Sequence, residues 1–230
     1  MPITKADVLA VLNDPILNQI NFSVGALRVN AAAFGIVARY VEAGDIEVIP
    51  GKSARFAVYD RRLNHIETPA RNPPLDFTDR AQLLHECVHA ISDITGGGSA
   101  LEDEVAGYLA QTVFAQISHP TAAILASNAQ IKAASPLGRM VLAMQETMRT
   151  YNLDNARGFG AKIGAIDIYH LGEAVRAMPD YAGLTETTRL ASPGVPVVKG
   201  NQMQALREAL MRGRQPDRKP STPIARPLIF

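Results

Sequence analysis

Apolar residues recur at helical spacing along most of the chain and shift to a shorter period only between about residues 46 and 68. Residues 4–17 read as a short helix, capped by Thr4 with Asp7 at the capping-box position. Residues 30–43 read as a stronger one, with Phe34, Ile36, Val37 and Val41 on its apolar side and Gly44 closing it. Residues 46–49, 55–59 and 64–68 are strand candidates, the last two joined by a hairpin connection at residues 60–63. After Pro73-Pro74, which keeps the chain extended, a helix starts at Asp76 or Thr78 with acidic Asp79 in its first turn. Leu84, Val88 and Ile91, with Leu83, Cys87 and Ile94, give it a broad apolar face, while Ala81, His85, His89 and Ser92 run along a narrower, more polar line. Gly96-Gly97-Gly98 stops that helix, and the capping box Ser99-x-x-Glu102 starts the next one.

Beyond Pro120 the pattern is helical again, at residues 122–134, 136–151, 166–178 and 201–212, broken by a glycine-bearing loop at 152–164. From residue 213 onward, Pro216, Pro220, Pro223 and Pro227 predict an extended or disordered tail. One α+β domain over residues 1–212 followed by that tail is the expected organisation, with the chemistry in a core at about 46–118 and a helical part at 120–212.

A 47% hydrophobic chain of 230 residues can bury one good core. A formal net charge of +1 supplies no field for nucleic acid or a membrane surface, and no apolar stretch reaches membrane-spanning length. With no signal-peptide pattern at Met1-Pro2-Ile3-Thr4 and a single cysteine, Cys87, on a packed face, a cytoplasmic protein is expected, although secretion by a signal-independent route stays open.

The chemistry lies in His85-Glu86-Cys87-Val88-His89. Residues four apart on a helix share a face, so the two imidazoles converge on one tetrahedral ion, Zn²⁺ by preference for such donors. Glu86 projects beside them, where a carboxylate can take a proton from water. Two histidines leave a catalytic zinc short of one protein ligand. Ser92 and Thr95 stand where the longer metzincin pattern needs Gly and His, so an acidic residue on the next helix is the remaining common solution. Three carboxylates enter that helix: Glu102, Asp103 and Glu104. Glu102 is used by the capping box. Glu104 has the chemistry and the reach, and Asp103 is the alternative.

Helix, glycine turn and acidic helix together resemble the gluzincin branch of the zincin metallopeptidases. The resemblance covers about residues 46–118 and implies a mainly helical zincin-like domain with a small antiparallel sheet ahead of the active-site helix. It implies small residues, here Ala106, Gly107 and Ala110, where the two helices pack. It also implies a Tyr or His from the C-terminal half as oxyanion donor, for which His170 is the candidate. Peptide or protein substrates and zinc-dependent peptide hydrolysis are the expected function. A catalytically silent zinc-binding or interaction protein on the same fold, and a peptidase delivered as a toxin or effector, remain the alternatives. Asp93 can serve as acceptor for His89, His119 as a helix cap, and His65 reads as a surface strand residue.

Overall fold

The computed structural model describes residues 2–53, 56–70, 74–121, 135–155 and 160–184. All of these belong to one compact unit, Met1–Pro196. The helices expected at 122–134 and 201–212, and the tail from 213, lie outside the described residues.

The first helix, α1 (Lys5–Leu12), opens with the Thr4 amide donating to Asp7 Oδ2 at 2.7 Å and buries Val8, Val11 and Leu12. It ends five residues earlier than its apolar pattern suggests. Asp14 precedes Pro15, and the residue before a proline is pushed out of helical backbone; Asp14 sits at ψ 125 and restarts the chain as a 3-10 turn over Pro15–Gln19. A hairpin follows, β1 (Asn21–Val24) and β2 (Leu27–Asn30), paired antiparallel. Its turn places Gly25 at φ +54, where a side chain would be strained and where a Cβ would lie 2.0 Å from Glu102 Oε1. Asn30 then caps α2 (Ala31–Ala43), which closes on left-handed Gly44.

The second sheet holds β3 (Glu47–Ser53), β4 (Val58–Asp60) and β5 (His65–Pro69), ordered β3-β5-β4. It is mixed, not antiparallel as expected. Two chain reversals bring β5 back in the direction of β3, and β5 inserts between its predecessors, parallel to β3 and antiparallel to β4. That leaves β4 at the sheet's edge, against the next helix.

The central pair is α3 (Phe77–Thr95), capped by Asp76 and ended by left-handed Gly96, and α4 (Ala100–Ser118), capped by Ser99. Among the described elements they make the most extensive contact, and both are well buried, α3 at Leu84, Val88 and Ile91 and α4 at Val105, Ala106 and Leu109. On the far side of α4 lie α5 (Pro136–Thr150) and α6 (Ala165–Arg176), the latter drawn close because Gly172 faces Leu101 without a Cβ. The described ends of the loop expected at 152–164 carry two short elements. Leu153–Asn155 forms a 3-10 turn, and β6 (Ala161–Lys162) joins β1 as a parallel neighbour. Among the described residues, no helix is long and apolar enough to cross a membrane.

Candidate metal centre

His85 and His89 are both buried on the face of α3 that meets α4. One nitrogen of each, with one oxygen of Glu104, forms a group whose atoms all lie within 4.8 Å of one another. Glu104 Oε2 is 3.4 Å from His85 Nε2, and Glu104 Oε1 is 3.6 Å from His89 Nε2. Ligands tetrahedral about one zinc at 2.0–2.2 Å stand roughly 3.3–3.6 Å apart, so both separations suit such an ion. Glu104 Oε2 is also buried without a hydrogen-bond partner. A buried carboxylate oxygen is expensive to leave unpaired, and a cation would satisfy it. The donor set therefore fits zinc.

The three carboxylates of α4 separate because each helical step turns the side chain by about 100°. Glu102 points back to the helix start, accepting from the Ser99 amide at 2.7 Å. Asp103, the alternative third ligand, is not turned toward the Nε2 atoms. It lies behind His89, accepting from Nδ1–H at 2.6 Å, and it also receives Arg61. Glu104, one step further and one methylene longer, is the residue brought to the two imidazoles. The acceptor expected on His89, Asp93, is taken instead by Arg61 at 3.1 Å and the Tyr59 hydroxyl at 3.2 Å. Because Asp103 can only accept, Nδ1 of His89 carries a proton and Nε2 is the nitrogen on the Glu104 side. Burial works to lower the pKa of His89. The charge and hydrogen bond of Asp103, joined by Glu104 and Glu86, overcome it and raise the pKa to about 9. The surroundings thus favour positive charge at this point.

His85 is wedged between α3 and α4. Its ring meets Tyr108 edge-on at 4.4 Å and His89 at 4.8 Å, and a Cβ on Gly107 would come within 2.9 Å of its Cε1. Gly107→Ala tests this contact with a clear sign. Alanine in a helix is normally better than glycine by about 1 kcal/mol. Here it has to displace an imidazole, and a net loss of about 1–3 kcal/mol is expected together with weaker zinc binding. Thermal unfolding and zinc titration would measure both, and a stabilised protein with unchanged zinc affinity would contradict the packing described.

Glu86 leaves the same helix on the cleft side. Its Oε2 accepts from the backbone N–H of Tyr59 on β4 at 2.9 Å, so the edge strand fixes the carboxylate beside the histidines. A cavity of about 350 Å³ opens there. Phe77, Ala81, Leu137, Met140 and Val141 give it an apolar floor, and its polar lining, apart from His85 and Glu86, is neutral Gln, Thr and Tyr. Tyr108 and Tyr181 stand at the cleft with hydroxyls 3.1 Å apart. Burial raises the pKa of Tyr108 to about 12. Burial, followed by the charge of Glu104, pushes Tyr181 higher still, so both hydroxyls stay protonated at neutral pH. One proton joins the pair, which leaves the other for an acceptor in the cleft.

His170 is not part of this arrangement. The buried side of α6 is Leu171, Gly172 and Val175, and His170 faces outward beside Tyr169. The aromatic donor from the later part of the chain is Tyr181, in the 3-10 turn Pro179–Tyr181 that follows α6. His119 caps the end of α4 and stacks on Phe77 at 4.9 Å. Cys87 is buried, and burial pushes its thiol pKa up, as suits a packing residue. His65 is buried, not a surface residue, with Nε2 2.8 Å from Glu67 Oε1. His65, Glu67 and Asp60 form a second group with metal-ligand chemistry. One oxygen of each carboxylate is already engaged: Glu67 Oε1 pairs with Lys52 at 2.5 Å, and Asp60 Oδ1 accepts from the amides of Arg62 and Leu63.

Sequence reasoning missed Arg61, Tyr59, Tyr108 and Tyr181. Tyr59 and Arg61 reach the site from β4 and the turn after it, and Tyr181 from the turn after α6, where no local spacing announces them. Tyr108 lies four residues after Glu104 on α4, a spacing that could have found it. No family model matches the chain, and neither does any curated protein or solved structure.

Proposed function

We propose that this protein is a zinc-dependent metallopeptidase that cuts peptide bonds next to a large apolar residue. The observation that carries the reading is the convergence of His85, His89 and Glu104 on one point, with Glu86 beside it at the mouth of a cleft. His85 Nε2, His89 Nε2 and the Glu104 carboxylate would hold the ion. Zinc, when bound, supplies Lewis acidity toward water and a substrate carbonyl.

The remaining work falls to the chain's own side chains. Glu86, held by the Tyr59 amide, takes the proton from the attacking water and passes it to the leaving amine. The spare hydroxyl proton of the Tyr108–Tyr181 pair is placed to stabilise charge developing on the carbonyl oxygen. The cleft favours an uncharged, bulky side chain. Its floor is apolar, and among the described residues a buried charge there would lose hydration with no partner beyond the His85 and Glu86 of the site itself. Incubating the purified chain with a peptide mixture tests the whole reading. Stoichiometric zinc by plasma mass spectrometry and cleavage products bordered by Leu, Phe or Met are expected. Failure to take up added zinc would end the proposal, and zinc without cleavage would leave a zinc-binding protein with no peptidase activity.

A further inference from the structure

The turn joining β4 to β5 carries a cation that reaches both metal-bearing helices. Arg61 lies in that turn, whose shape is set by Asp60 Oδ1 accepting from the amides of Arg62 and Leu63 at 2.8 and 3.1 Å. One guanidinium nitrogen donates to Asp93 on α3 at 3.1 Å. The other donates to Asp103 on α4, through the same Oδ2 that accepts from His89. Tyr59 extends the network, its single hydroxyl proton shared between Asn64 Oδ1 at 2.7 Å and Asp93 Oδ2 at 3.2 Å, while its backbone amide holds Glu86.

We infer that Arg61 is a positioning residue for the metal centre, fixing His89 through Asp103 and spanning the two helices that supply the ligands. This rests on the zinc reading above. Asp103 is 1% exposed, and a buried carboxylate is costly unless hydrogen-bonded partners meet it. A neutral His89 bound to a metal offers it a hydrogen bond but no charge. Arg61 is the side chain whose formal charge meets Asp103 directly. Its planar fork also addresses two carboxylates on different helices at once, which the point charge of a lysine reproduces poorly. The β4–β5 hairpin thereby sets both the general base, through the Tyr59 amide, and a ligand ring, through Arg61. Occupancy of the ion and docking of the hairpin are then coupled, and coupling of this kind is reciprocal.

The test measures zinc affinity of the full chain by competition with a chromophoric chelator, for the parent, Arg61→Ala, Arg61→Lys, Asp103→Asn and the Arg61→Ala/Asp103→Asn double variant. Circular dichroism confirms folding, and hydrogen exchange of the hairpin amides is followed with and without zinc. Arg61→Ala is expected to bind zinc roughly 10–100-fold more weakly, the range that loss of a group behind a metal ligand produces. Arg61→Lys should fall between it and the parent. The double variant should lose much less than the product of the two single losses, because both act along one chain of contacts. Zinc should slow exchange in the hairpin of the parent and not in that of Arg61→Ala. A folded Arg61→Ala protein with parental zinc affinity and parental exchange response would overturn the inference while leaving the zinc site standing. A parent chain that binds no zinc would overturn both. Should Arg61→Ala not fold, Arg61→Lys decides alone, since it keeps the charge and loses the fork.

Discussion

Glu86→Gln will bind zinc as the parent chain does and will lose about 10²–10⁴ in kcat, the contribution of a positioned acid–base group. The amide has the shape of the carboxylate, and its carbonyl oxygen can still accept from the Tyr59 N–H, so the residue stays in place. What it cannot do is carry a proton between water and the leaving amine. None of the three proposed ligand side chains is altered, so the metal content should not move. Steady-state rates on a peptide cut by the parent, with zinc content measured in parallel, separate the two effects. A variant that hydrolyses at the parental rate would remove Glu86 from the mechanism.

Glu104→Ala is expected to weaken zinc binding well beyond the roughly 10–100-fold that loss of a group behind a ligand costs, because it removes an atom in contact with the ion. The neighbouring carboxylates provide the scale. Asp103→Ala should fall within that 10–100-fold range, since it frees the His89 ring but leaves all three donors. Glu102→Ala should keep its zinc and lose only about 1 kcal/mol of stability, the usual value of a helix cap. Zinc titrations of the three variants therefore give a ranking, and a zinc loss greatest for Asp103→Ala would reassign the third ligand.

The elements that position the site were legible where their signal is local. Asp76, the HExxH spacing, the glycine run and the Ser99–Glu102 box define α3 and α4 within a few residues. That Glu104 and not Asp103 is turned toward the two imidazoles reflects side-chain length and helical phase, while the sequence alone leaves Asp103 as an alternative. The β1–β2 hairpin was not read from the sequence: Phe22 and Val24 alternate with Asn21 and Ser23 before Gly25, but the run is only four residues long and lies between stronger helical patterns. The parallel placement of β5 beside β3 was not legible either, because strand order depends on which edge a returning strand finds and no residue in β5 encodes it. His170 and Tyr181 show the same limit. Both are plausible donors by type, and only the phase of α6 and the turn after it decide which one faces the cleft.

His85 and Glu104 close a segment of about twenty residues, whereas the cleft joins Phe56 to Tyr181, and closing the longer segment costs roughly 1.5 kcal/mol more in chain entropy. The proposed metal donors therefore form a local structure, and the walls of the cleft a distant one. The tie between Phe22 and Ala161 in β1 and β6 belongs to the distant class too. On the proposed reading, a lesion in α5 or α6 would loosen the cleft first and leave the α3–α4 pair able to hold an ion. On the proposed function, zinc content would report on residues 85–104 and be blind to such damage, so a fully loaded preparation could still be an inactive one.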